Sequence, residues 1–343
     1  MVPWYLYVGF IGFVIAMLVV DLRFFHAEEH DPTPKESGLW VGIWVGLALV
    51  FGVIVWVWKG SNEAAEYFTG YVIEYSLSVD NMFVFVVIFR YFKIPFSYQH
   101  QVLFYGILGA MIFRGIFIAL GVALINNFYW VIYIFGAFLI ITAYRIARGN
   151  SEEIHPENNP ILKFFQRRFP TTTKFNGQKL FTIENGKKLA TPLFIVLIFI
   201  ELTDIVFAVD SIPAIFGITN DPFIILTSNV FAILGLRALY FLLADSMDRF
   251  HLLKYGLAIV LAFVGTKMLL EAWHIEVPIW LSLIVIVGVL GVTAVLSLKI
   301  TPKHDTPPGR HHEHPDNPSI DETEDEIEDG PRVLSQEDRD DQT

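Results

Sequence analysis

The chain has 343 residues, 54% of them hydrophobic and 17% charged, against roughly 25% charged in an average soluble protein, a balance that points to a membrane protein. It contains no cysteine, which excludes disulfides, thiolate metal sites, CxxC redox chemistry and cysteine-ligated iron–sulfur clusters. The net charge of −11 is concentrated at one end: residues 301–343 hold 14 acidic against 4 basic side chains, leaving 21 against 20 in the first 300.

Crossing about 30 Å of hydrocarbon takes about 20 apolar residues in a helix. Nine such stretches follow one another, at roughly 3–22, 38–58, 68–92, 102–125, 128–148, 190–217, 223–243, 255–274 and 278–298. The first lacks a basic leader and runs into Asp21 and Arg23, so it is expected to remain as a membrane helix rather than be removed as a signal peptide. The loop after it contains "HAEEH", in which His26 and His30 could share a helical face, but the spacing is not HExxH. The third stretch carries "EYSLSVDN", with Glu74, Asp80 and Asn81, and the fourth places Arg114 in "ILGAMIFRG". Residues 149–189 form the one sizeable polar insertion, where "KFNGQKLFTIENGKKL" predicts a small hairpin at Asn-Gly turns. The sixth stretch, "IELTDIVFAVDSIPAIF", holds Glu201, Asp204 and Asp210, with Pro213 just beyond. Arg237 sits in "VFAILGLRA" of the seventh and Lys267 in the eighth. From residue 301 the acidic, proline-containing tail with "HHEH" at His311–His314 cannot bury a core and reads as disordered. Tryptophans cluster at the stretch ends, the usual interfacial belt.

Lysine and arginine set the orientation. The 149–189 loop with its flanks carries nine, while the loops that would fall on the other face carry none except Lys59. The N-terminus is therefore expected outside and the tail in the cytoplasm. Laid over one another without a gap, "EYSLSVDN" and "DIVFAVDS" align Glu74 with Asp204 and Asp80 with Asp210; the following stretches align Arg114 with Arg237. The next pair shares only "AF", within "FGAFLIITAY" and "VLAFVGTKML". A repeat of three helices, an odd number, inverts its second copy, giving halves at about 68–148 and 190–274, an arrangement that places transporter sites near the midplane. The expected fold class is an all-α polytopic membrane protein of nine transmembrane helices, 1–300, with two inverted three-helix repeats.

An ionised Asp at the centre of a membrane helix costs about 2.5–3.5 kcal/mol, so Glu74, Asp80, Glu201, Asp204 and Asp210 must face one another, water or cations. Arg114, Arg237 and Lys267 can balance three of them, and one divalent cation or two protons would balance the rest. Glu201 and Asp204 share a helix face, whereas Asp80 and Asp210 each point about 120° from the partner acid six residues away. Pro213 removes a donor and is expected to open the helix beside Asp210. With Asn81 the candidate ligands are all oxygen, suited to Mn²⁺, Mg²⁺ or Ca²⁺, and Met82 tilts the choice toward manganese. The competing reading makes Asp80 with Arg114, and Asp210 with Arg237, structural staples between helices.

"GYVIEYSLSVDNMFVF", "VLIFIELTDIVFAVDSIPAIF" and "DPFIILTSNVFAILGLRALYFLLA" resemble the signature stretches of the TerC family of integral membrane proteins, in its Alx-like branch, over about residues 5–298. The resemblance implies a bacterial inner-membrane protein that exports Mn²⁺ and is tied to tellurite resistance or alkaline response, with Glu74, Asp80, Glu201, Asp204 and Asp210 forming the ion site. The expected function is secondary export of a divalent metal, with protons as the exchange ion, and not catalysis. No resident cofactor is expected: Mn²⁺ enters as cargo. Expected partners are a divalent ion and membrane lipid, with no nucleic acid; the oligomeric state stays open. The alternatives are a stress-response or tellurite-resistance scaffold, or a small-solute exporter of the LysE kind. An intramembrane aspartyl protease fits poorly, since GxGD is absent.

Overall fold

The computed structural model describes residues 2–25, 33–148, 171–172, 175–184, 186–243, 252–275 and 277–300. The "HAEEH" loop, most of the insertion and the whole acidic tail lie outside the described residues.

Local sequence sets the helix ends. Helix α1 spans Trp4–Phe25 and α2 spans Pro34–Lys59. A capping box starts α2: Thr33 Oγ1 accepts from the Glu36 amide at 3.3 Å and Glu36 Oε2 from the Thr33 amide at 2.8 Å. Gly60, at φ 117°, makes the corner into α3, Ser61–Tyr91. Helices α4 (Phe96–Asn127) and α5 (Val131–Ala147) follow. A two-stranded antiparallel hairpin then pairs β1 (Phe181–Glu184) with β2 (Lys187–Ala190) across Gly186, whose φ is 74°, as the Asn-Gly pattern predicts. Helix α6 runs over Pro192–Phe216. Asp221 caps α7 (Pro222–Leu234), its Oδ1 accepting from the Phe223 amide at 2.9 Å. Gly235 interrupts the seventh stretch and separates α7 from α8 (Leu236–Leu243). Helix α9 (Leu253–Leu270) ends in a 3₁₀ turn at Glu271–Trp273, and α10 covers Ile279–Lys299.

Among the described residues, seven helical segments are long and apolar enough to cross a membrane, with α7 and α8 counted together; Trp4–Val20 and Val131–Ala147 are shorter apolar helices. The chain is thus an all-α polytopic membrane protein. Helix ends meet at two opposite poles. At one, the hairpin pole, Tyr98 at the start of α4 stacks near Phe175 with ring centroids 5.8 Å apart. There too Tyr240 of α8 donates to Gln99 at 2.8 Å, and the Leu252 amide donates to Ser297 of α10 at 3.1 Å. At the other, Lys59 pairs with Asp221 and Tyr129 hydrogen-bonds Glu271. Tyr7 and Trp58 both meet Phe223 edge-on there, which brings the start of α1 to the end of α2. Successive apolar helices therefore run alternately from pole to pole.

The main packing partners interleave the two halves. The largest interface of α3 is with α7, that of α4 with α6, and that of α5 with α9. At the α5–α9 crossing, a Cβ on Gly136 would stand 2.9 Å from the Gly265 carbonyl, and one on Gly265 would stand 2.6 Å from that of Gly136. Gly136 also faces Met268 and Leu269, while Gly265 faces Leu139 and Ile140. This reciprocal contact sets Gly136 opposite Gly265, because close approach of two helices needs the smallest residue at the crossing.

Candidate functional site

The interior charges sit where α3, α4 and α6 meet. Arg114 of α4 pairs through Nη1 with Glu74 of α3, and through its other face with Asp204 of α6. Nη2 donates to Asp204 Oδ1 at 3.0 Å and Nε to Oδ2 at 3.3 Å, a two-pronged contact that holds both carboxylate oxygens. Exposures of 2% for Arg114, 0% for Glu74 and 4% for Asp204 place the triad out of water. Two acids on one arginine carry a net charge of −1. The residues the repeat aligns, Glu74 and Asp204, are thus brought together, and the staple reading is corrected: Arg114 takes Glu74 and Asp204, not Asp80. The reason is reach, since the helices cross with Glu74 rather than Asp80 at the level of Arg114.

Glu201, half-buried and one turn before Asp204, rests its carboxylate against Gly109 of α4, where any side chain would displace it. On the hairpin side of the triad lies a cavity of about 10 Å³, lined by Asp204 together with Met82, Phe85, Gly106, Ala110 and Tyr240 among others. That is room for about one water molecule.

The other predicted site residues are placed elsewhere. Asp210 accepts from Thr142 Oγ1 of α5 at 3.2 Å, and Thr142 is a partner the sequence did not single out, since a lone Thr in an apolar helix carries no signal. Asp80, half-buried, lies within the field of Lys254 at the start of α9. Asn81 is buried on α3 and Arg237 is buried on α8. Lys267 lies near Glu66 and Glu271, toward the pole opposite the hairpin. Helix α6 continues through Pro213 to Phe216, and the Pro213 carbonyl accepts from the Gly217 amide at 3.1 Å. The expected helix opening at Asp210 is therefore corrected: the proline sits in the last turn, where one missing donor does not interrupt the helix. Among the described residues no three His, Asp or Glu side chains stand together as a group able to hold a metal ion. Ser78, Ser211 and Asn229 are buried with polar side-chain atoms that make no hydrogen bond.

Comparison with known proteins bears on this arrangement. The model of the integral membrane protein TerC family matches residues 59–305. An uncharacterised membrane protein of Myxococcus xanthus is 52% identical over 294 residues, which is 85% of this chain and 92% of that protein. The Escherichia coli K12 protein named "putative membrane-bound redox modulator Alx" is 43% identical over 306 residues, 87% of this chain and 95% of its own length. A membrane protein of Rickettsia felis is 44% identical over 277 residues, 81% of this chain and 92% of that one. No solved structure is a significant match to this chain. The matched span takes in all three members of the buried triad, and on this evidence the chain belongs to the TerC family of integral membrane proteins.

Proposed function

We propose that this protein is a secondary transporter that exports a divalent metal ion, manganese foremost, in exchange for protons. One observation carries the reading: two carboxylates from repeat-related helices are buried together on a single arginine, beside a cavity that reaches one of them. A stable fold does not need such a pair, because apolar residues of similar volume are as good or better in the interior. In this reading the ion enters between Glu74 and Asp204, with Glu201, one turn from Asp204, contributing oxygen, and displaces the Arg114 guanidinium. The all-oxygen set suits a hard divalent ion. The same carboxylates take up protons as the metal leaves, which couples the two fluxes.

Asp80 and Asp210 find a role as stations. Helix α3 runs toward the hairpin pole and α6 away from it, so Asp80 lies on the hairpin side of Glu74 and Asp210 on the far side of Asp204, each about 9 Å along its helix. The acids then line a path through the bilayer rather than one ligand shell. The alternation of helix ends between the poles supports nine crossings, with the lysine- and arginine-rich hairpin pole in the cytoplasm and the N-terminus outside a bacterial inner membrane. The interleaved interfaces support two inverted three-helix repeats.

The test is flux. Full-length protein in vesicles should carry Mn²⁺ down an imposed proton gradient, read with a metal-quenched dye, and Glu74→Gln or Asp204→Asn should abolish it. Proton-driven flux equal to that of empty vesicles, from correctly folded protein, would refute the reading.

A further inference from the structure

We propose that Arg114 and Arg237 are alternative partners of one carboxylate pair, Glu74 and Asp204, and that exchanging one arginine for the other turns the site from one pole to the other. This rests on the transport reading above and gives Arg237 its part in it as a positioning residue. In the sequence Arg237 stands in the second repeat where Arg114 stands in the first, and Asp204 where Glu74 stands. The packing obeys the same relation. Gly136 and Gly265 present carbonyls to one another and face equivalent neighbours, as residues beside a local two-fold axis must. The Gly106 contact with Ile200, 3.2 Å from an added Cβ, has its counterpart in that of Gly70 with Ser228, 2.9 Å, which falls one residue from the position the repeat alignment requires. An axis that exchanges Glu74 with Asp204 maps the bridge made by Arg114 onto an equivalent bridge made by Arg237.

The surroundings break this symmetry. On the hairpin side Met82, Phe85 and Tyr240 line the cavity that reaches Asp204. Met82, Phe85 and Tyr240 belong to the main apolar core, while their repeat counterparts, Ile212, Ile215 and Phe117, pack in a separate apolar cluster with Phe216 and Ile225, where Ile215 is fully buried. A two-fold arrangement in which one arginine bridges both acids and the cavity beside them reaches Asp204 is one member of a pair of conformers. In its mirror image Arg237 bridges the acids, the hollow lies beside Glu74 against Ile212 and Ile215, and Met82 and Phe85 close up. The chain has a joint for this movement: Gly235 breaks the helix two residues before Arg237, leaving α8 as a separate eight-residue piece, whereas Arg114 sits within the unbroken α4.

Because the chain has no cysteine, Phe85→Cys and Ile215→Cys each create a unique thiol at mirrored positions. Labelling rates with a small thiosulfonate reagent, in full-length protein in nanodiscs, report the two conformers. Arg114→Gln should raise the Ile215→Cys rate and lower the Phe85→Cys rate, moving their ratio about tenfold, and Arg237→Gln should move it the opposite way. Arg114→Lys and Arg237→Lys should shift the ratio in the same respective directions by a smaller factor, because an ammonium cannot replace the two-pronged contact. Shifts of the same sign for both arginines, or unchanged ratios in both the Gln and the Lys variants, overturn the proposal. Mn²⁺ flux measured on the same samples separates the two ideas. Reciprocal labelling without flux refutes the transport reading and leaves the exchange standing, and flux with unmoved ratios does the reverse.

Discussion

Arg114 is held by acids from two different helices, so its removal leaves two buried carboxylates uncompensated. Arg114→Ala should cost about 3–5 kcal/mol of stability, measured as a fall in the thermal midpoint of detergent-solubilised protein. The triple change Arg114→Met, Glu74→Gln, Asp204→Asn should recover much of that loss, since neutral groups tolerate the apolar interior. Asp80 and Asp204 should also part company in function. Asp204→Asn should abolish Mn²⁺ binding at equilibrium, whereas Asp80→Asn should preserve binding and slow flux, a distinction that calorimetry and vesicle assays read directly. The charged members of the site were legible because each acid or arginine interrupts an apolar run where burial is costly. Their pairing was not. Helix phase alone separates Glu74 from Asp80, but which of them stands level with Arg114 depends on how α3 and α4 cross, and no pattern in either segment encodes that.

At the scale of elements, the α5–α9 crossing is the most extensive helix–helix interface among the described residues. Gly136→Val or Gly265→Val would drive a side chain into the facing carbonyl, and should cost about 1–3 kcal/mol, again as a lowered thermal midpoint. Gly9→Val or Gly12→Val, where an added Cβ meets nothing within 4 Å, should stay within about 0.5 kcal/mol of the parent. The helices themselves were legible from apolar length, though α3 and α4 begin seven and six residues before their apolar runs, and the β1–β2 hairpin was legible from its Asn-Gly turn. The register of α5 on α9 escaped because the two segments share little in sequence beyond "AF", while the anchor in space is a glycine facing a glycine, a residue whose role is to be absent. The break at Gly235 escaped for a related reason: a single glycine within an apolar run is compatible with a continuous helix.

At the scale of the molecule, loops that meet at the Lys59–Asp221 pole should share one side of the membrane. In intact cells, Ser61→Cys should react with an impermeant maleimide, and Gly177→Cys, in the hairpin region, only after the membrane is opened. The all-α polytopic membrane class was legible because segment length and hydropathy each constrain it separately, and they agree. The interleaving of the halves bears on biogenesis. Helices α3, α4 and α5 emerge from the ribosome and enter the bilayer before α7, α6 and α9, their chief partners, have been made. Until then Arg114 has Glu74 but not Asp204, and the glycine face of α5 has only lipid against it. A nascent chain arrested after α5 is therefore an unfinished surface, open to membrane proteases, and the fold closes only when the second half arrives.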